Sequence, residues 1–93
     1  MKSEDIHKEV NQYLKEGLIE ITRNGLLSCD FKTIDGVIEH QYQSRGFYKG
    51  RRIGWSEVYR NGVKIDCRWY TMERVYMYFI LYCRKLKNNG TNN

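Results

Sequence analysis

The residues best suited to chemistry in this chain form one short run, Arg45-Gly46-Phe47-Tyr48-Lys49-Gly50-Arg51-Arg52. Four cations bracket two aromatic rings. Cations neutralise phosphates, and aromatic faces stack on bases without demanding a particular sequence. Read as a strand, the run offers a surface for RNA or single-stranded nucleic acid. The plain alternative is a solvated edge strand whose Lys and Arg prevent strand-to-strand aggregation. Further along, Lys64 and Arg68 alternate with Val63, Ile65, Cys67 and Trp69, so one face of that segment is basic and the other apolar. The expected nucleic-acid-binding set is Arg45, Phe47, Tyr48, Lys49, Arg51, Arg52, Lys64 and Arg68, with Phe47 or Tyr48 as the stacking platform.

Other chemistries find less support. Glu57 and Asp66 are the one candidate carboxylate pair, as cross-strand neighbours with Arg51 or Arg52 nearby. No histidine or glycine-rich pocket accompanies them. Cys29, Cys67 and Cys83 have no evident base to activate them, and no phosphate-binding glycine loop is present. Three cysteines without a CxxC pair do not make a disulfide framework. Their apolar settings read as small buried hydrophobes. A zinc site from Cys29, His40, Cys67 and Cys83 matches no ligand spacing. His7 reads as a solvated or edge histidine. The expectation is a non-catalytic binder without metal or cofactor.

The charge distribution points the same way. Residues 1–40 carry five Lys/Arg against eight acids, a net of −3. Residues 41–93 carry eleven against three, a net of +8. That second part also holds Tyr42, Trp55, Tyr59, Trp69, Tyr70, Tyr76, Tyr78, Phe79 and Tyr82 beside the Phe47-Tyr48 pair. Such asymmetry implies an anionic partner, either nucleic acid or an acidic protein surface. The acidic start and the basic remainder are also complementary surfaces, a route to homodimers or docking. The N-terminus MKSEDIHKEV is polar and acidic, unlike a secretory signal. The longest apolar run, Val75–Cys83, has nine residues, against the ~20 that a spanning helix needs. No membrane contact and a cytoplasmic setting are expected.

The elements that position these residues can be read from periodicity and turns. Residues 3–16 predict a helix, with Ser3 as N-cap, Glu4 and Asp5 in the first turn, and Gly17 just past the end. Ile6, Val10, Tyr13 and Leu14 form its apolar stripe. Strands are expected over Leu18–Arg23, Leu26–Ile34 and Val37–Ser44, joined by Asn24-Gly25 and Asp35-Gly36. A three-residue Arg23-Asn24-Gly25 loop is preferred, because it pairs Ile21 with Leu27 and Ile19 with Cys29. Phe47–Ile53, Trp55–Arg60 and Val63–Tyr70 supply further strands, the last two joined by Asn61-Gly62. A two-residue turn there sets Val58 opposite Ile65 and Arg68 opposite Trp55. A three-residue turn buries Trp55 and Tyr59. Residues 71–87 predict a helix capped by Thr71, with Met72, Val75, Tyr76, Phe79, Ile80, Cys83 and Leu86 on one face. Residues 88–93 read as a frayed tail.

Two resemblances follow. Arg45-Gly46-Phe47-Tyr48 partly mimics the aromatic strand of RNA-recognition-motif domains. The later aromatic positions and the βαββαβ order are missing, which rejects that fold. Tyr48–Gly62, with its Y-x-x-G, G-x-W and Y-x-N-G pattern, resembles one unit of a MORN-like repeat. That resemblance implies short antiparallel hairpins, burial of Trp55 and Tyr59 between them, and a protein-interaction role without catalytic residues. The Tyr-, Lys- and Asn-rich composition is also similar to small accessory proteins of large phages. It suggests as alternative function an inhibitor of a host or toxin protein. Altogether one α+β domain over residues 1–93 is expected: a twisted antiparallel β-meander of five or six strands flanked by an N-terminal and a C-terminal helix.

Overall fold

Helix α1 (Ser3–Lys15) forms where apolar residues recur at helical spacing, and Ile6, Val10 and Tyr13 of that stripe are buried. The computed structural model describes residues 2–24, 29–69 and 72–91. Lys2, not Ser3, occupies the N-cap, and no side chain caps the helix. The Ser3 hydroxyl instead donates to Glu73 Oε1 at 2.9 Å, a tertiary partner that local reading does not see. At the other end Gly17 takes a φ of +78°. The Leu18 N–H then donates to the Tyr13 carbonyl at 2.9 Å and the Gly17 N–H to that of Leu14 at 3.2 Å. This is a Schellman ending, and it turns the chain directly into the sheet.

Five strands follow: β1 (Ile19–Asn24), β2 (Cys29–Thr33), β3 (Ile38–Tyr48), β4 (Arg51–Arg60) and β5 (Val63–Trp69). They lie in the order β1-β2-β3-β4-β5, every neighbour antiparallel. Helix α2 (Met72–Thr91) closes the described chain. An odd number of antiparallel strands returns the chain to the end from which α1 started. The two helices therefore run side by side in the same direction, with Ser3 beside Glu73 and Glu16 beside Lys87. The fold is α+β, as the alternation of patterns predicts.

The helices cover one face of the sheet. Ile6, Val10 and Tyr13 from α1 and Val75, Phe79, Ile80 and Cys83 from α2 meet Ile19, Phe31, Ile38 and Val58 from the strands. The Phe31 ring lies 4.7 Å from Phe79 and 4.5 Å from His40. His40 is buried with its Nε2 3.2 Å from the Ser56 hydroxyl, which is also buried. Asp35 ties the β2–β3 turn to α2. It accepts from the Thr33 hydroxyl at 2.8 Å and the Val37 N–H at 3.1 Å, and the Tyr82 hydroxyl donates to its second oxygen. Burial opposes its ionisation, yet these donors outweigh burial and hold its carboxyl below the usual range.

Three bulges set the registers and overturn several expectations. Thr22, Arg45 and Ile65 are each unpaired between ladder steps. In the first hairpin Ile21 pairs with Phe31 and Ile19 with Thr33, so the predicted Ile21–Leu27 and Ile19–Cys29 partners do not form. The connection there is longer than three residues, and its Gly25 lies outside the described residues. Asn61-Gly62 makes a two-residue turn, with φ of 52° and 80°, values of the type I′ hairpin turn. The Ile65 bulge then shifts β5, so Val58 faces Asp66 and Ser56 faces Arg68. Arg68 is thus not the partner of Trp55, whose place is taken by Trp69. Trp55 and Tyr59 are half-buried on the sheet face away from the helices, not enclosed as the three-residue turn and the MORN-like resemblance imply. Helix α2 also continues through the expected tail to Thr91. Its last packed turn is held by half-buried Leu86 and by Lys87 on Glu16, so the ladder runs on through the asparagines. The Thr71 cap lies outside the described residues.

Candidate nucleic-acid interface

The Arg45–Arg52 run is not one strand. Lys49 and Gly50 have φ of 51° and 77°, a second type I′ turn, and they fold the run into the end of the β3–β4 hairpin. Tyr48 pairs with Arg51, Phe47 with Arg52 and Gly46 with Ile53. The predicted strand Phe47–Ile53 is therefore a strand end, a turn and a strand start. Lysine is a poor left-handed residue, which hides this turn from sequence reading.

Among the described residues β2 pairs with β3 only as far as His40, and β5 reaches β4 only as far as Trp55. Beyond Ser44 and Gly54 the hairpin is a two-stranded ribbon, with no third strand among the described residues, about 15 Å long at the usual strand rise. It contributes to an elongated molecule of 51 × 29 × 21 Å. Its sequence from Tyr42 to Ser56 contains Arg45, Lys49, Arg51 and Arg52 and no carboxylate. Phe47 is 71% exposed there. The side chains of Arg45, Tyr48, Arg51, Arg52 and Arg68 lie outside the described residues; their backbones occupy the register positions given above.

The root of the ribbon is built by Gly54 and Tyr42. Gly54 is buried, and a Cβ added there would fall 2.1 Å from the Tyr42 ring. The Tyr42 N–H donates to Asp30 Oδ1 at 2.9 Å, where β2 stops pairing with β3. Sequence reading missed this pair. Its only signal was a glycine inside a strand pattern, which often marks close approach of another group.

Lys64 and Arg68 stand apart from the ribbon on β5. Lys64 Nζ is 2.6 Å from Glu57 Oε2, and this contact raises the ammonium pKa. Lys64 is also the first cause holding the Glu57 carboxyl low; burial opposes it, and the Tyr59 hydroxyl and Trp55 indole add to the lowering. Glu57 and Asp66 are not a pair. Glu57 lies opposite Cys67 on the open face, whereas Asp66 lies opposite Val58 and accepts from Arg74 at 2.8 Å and Tyr78 at 2.7 Å of α2. His40 is in the core and Cys67 is exposed across the sheet, so these two zinc candidates point to different sides. Cys67 thereby departs from the expected burial, which Cys83 fulfils. Burial, with the nearby carboxylates of Asp35, Glu16 and Glu9, pushes the Cys83 thiol up to about 11.

Much of the charge asymmetry along the chain is spent inside the fold. Arg84 forks onto Glu9 at 2.8 and 2.7 Å, and Lys87 contacts Glu16 at 3.1 Å. Arg84 is the main cause holding the Glu9 carboxyl low. Helix α2 runs on past Arg84 and Lys87, which hold α1 by these contacts. Compared with family models, curated proteins and solved structures, the chain matches none. No helix among the described residues is long and apolar enough to cross a membrane.

Proposed function

We propose that this chain is a non-catalytic nucleic-acid-binding protein that engages RNA or single strands through the β3–β4 ribbon. One observation carries the reading. The hairpin end places Arg45, Lys49, Arg51 and Arg52 within a few backbone positions of an exposed Phe47, on a projection whose sequence holds no carboxylate. Elsewhere Lys64, Arg74, Arg84 and Lys87 face acids of the same chain. A basic stretch of chain whose own sequence holds no carboxylate favours a polyanion, and an exposed ring favours bases. Lys64 and Arg68 lie on a separate strand and are not needed for the reading.

A gel-shift titration with single-stranded RNA tests it. Four phosphate contacts predict a log–log salt slope of about −3, at about −0.7 per contact. Replacing Arg51 and Arg52 together with Glu is expected to abolish the shift without changing the melting temperature. No shift by the wild-type protein at low salt sinks the proposal. The MORN-like reading, in which the same cations meet an acidic protein surface, would then take its place.

A further inference from the structure

Strand β1 is one edge of the sheet, and among the described residues no strand pairs with its outer side. Its sequence, Ile-Glu-Ile-Thr-Arg-Asn, carries neither Lys nor Pro, two residues by which edge strands commonly block foreign pairing. Ile21 through Asn24 are exposed, Ile21 by 52%. On the helix side of this edge, Val10 and Leu14 of α1, Ile19 and Ile21 of β1, Phe31 and Tyr76 line an open apolar cavity of about 60 Å³. An apolar strand edge with its backbone groups turned outward is a template for another strand. The opposite edge differs, because the charges of β5 are engaged within the chain: Lys64 meets Glu57, and Asp66 meets Arg74 and Tyr78.

The bulge at Thr22 decides which strand fits. Ile21 pairs with buried Phe31 and so lies on the helix side. Glu20 and Arg23 pair with Lys32 and Asp30, the neighbours of Phe31 in β2, so both lie on the open side. Three apart in a regular strand, they would point to opposite faces; the extra residue brings them to the same one. Ile19 and Asn24, paired with Thr33 and Cys29, return to the helix side. The order of faces is therefore the same read forward or backward about the Ile21–Thr22 step, which is the symmetry that a two-fold pairing requires. A second β1 laid antiparallel about that step sets Ile19 opposite Asn24 and Glu20 opposite Arg23, each twice. Every such pair shares a face, and each acid meets a base. Slides that set Glu20 against Glu20, or Arg23 against Arg23, place like charges opposite.

We infer that two copies of this chain pair through β1, antiparallel about the Ile21–Thr22 step, and join their sheets into one. Glu20 of each copy meets Arg23 of the other on the open side. On the helix side Ile21 of each copy lies beside the two-fold axis, so the apolar cavities of both copies adjoin at the seam. This surface is separate from the β3–β4 ribbon, and the inference is independent of the nucleic-acid reading.

Sedimentation equilibrium of the full chain and of two charge-reversal variants tests it. The wild-type mass should rise with concentration towards twice the 11.2 kDa of one chain. Glu20→Arg and Arg23→Glu each turn both cross-copy pairs into like charges, and each variant alone should lose affinity for itself by about 10- to 100-fold. An equimolar mixture of the two variants restores both pairs and should form a mixed dimer comparable to the wild type. Mixing cannot repair a defect inside one chain, so recovery in the mixture reports contact between copies. Hydrogen exchange of the wild-type β1 amides, slower at high than at low protein concentration, reads the same contact without any variant. A wild-type protein that stays monomeric up to its solubility limit overturns the inference. So does a dimer that both variants leave intact, or a mixture of folded variants that does not recover. Should either variant fail to fold, β1 exchange that does not depend on concentration overturns it.

Discussion

The helix-backed part of the sheet and the β3–β4 ribbon use the same residue types for opposite ends. Under the helices, aromatic rings are interior groups: Phe79 is fully buried and Phe31 nearly so. Basic side chains there close on acids from distant parts of the chain, Arg84 on Glu9 and Lys87 on Glu16. On the ribbon the aromatic residue Phe47 stands 71% exposed, and the cations have no carboxylate in the same stretch of chain. Composition alone treats both regions as basic and aromatic. Only the fold shows which of the described cations hold the protein together.

The sharpest break in this comparison comes from putting a carboxylate at both phenylalanines. Phe79→Asp removes a core ring, a loss of about 3–5 kcal/mol when alanine replaces it, and buries a charge as well. The variant is expected to be largely unfolded by circular dichroism. Phe47→Asp should change stability by less than about 0.5 kcal/mol. Equal melting temperatures for the two variants would contradict the placement of the core.

A smaller effect is expected at the junction of the two regions. Gly54→Ala forces the Tyr42 ring aside, and overpacking of this kind costs about 1–3 kcal/mol. Urea unfolding should register that loss. Gly62→Ala makes a useful control, because nothing lies within 4 Å of its added Cβ and only its φ of +80° is strained.

Acid distinguishes the regions again. The Glu9 carboxyl is lowered chiefly by Arg84 and the Glu16 carboxyl by Gln12 and then Lys87. In the unfolded chain these partners are dispersed, so the unfolded state takes up protons first as pH falls. The stabilisation is complete above the ordinary carboxylate value of 4.5 and disappears as pH falls through the lowered native values. Melting temperature should therefore decline below about pH 4.5, and Arg84→Gln should flatten that decline. The ribbon contains only cations, so RNA affinity of the folded protein should show no loss between pH 7 and pH 5. The mildest contrast is in thiol reactivity. Cys67 should react with a thiol reagent in the native state, while buried Cys83 with its raised pKa should wait for unfolding.

The helices were legible because burial repeats every three or four residues along α1 and α2, and in α2 the length of the pattern outweighs the strand-forming residues of Val75–Tyr82. Asn61-Gly62 was legible because both residues tolerate a positive φ. The registers were not. A bulge at Thr22, Arg45 or Ile65 moves every later partner by one, yet carries no distinctive residue. The candidate site was half visible. Its residue types stood out as a cluster, but Lys49 in a positive-φ turn disguised the hairpin as a strand. Whether a given cation was engaged depended on partners up to 75 positions away, as with Arg84 and Glu9. Ser3 illustrates the same limit, since its hydroxyl leaves the local backbone for Glu73.

The parallel pairing of α1 with α2 has a consequence for how the chain reaches this state. Each hairpin of the meander closes over a few residues, and such contacts form within microseconds. The contacts between the helices join residues 70 to 75 apart. Contacts of such long range are paid in chain entropy before they return any energy, and they slow folding. Until α2 arrives, the Ile6, Val10 and Tyr13 stripe has no complete surface to bury against. The first helix and the last thus mature as one cooperative unit, and their amides should gain protection from hydrogen exchange together, after those of β3 and β4.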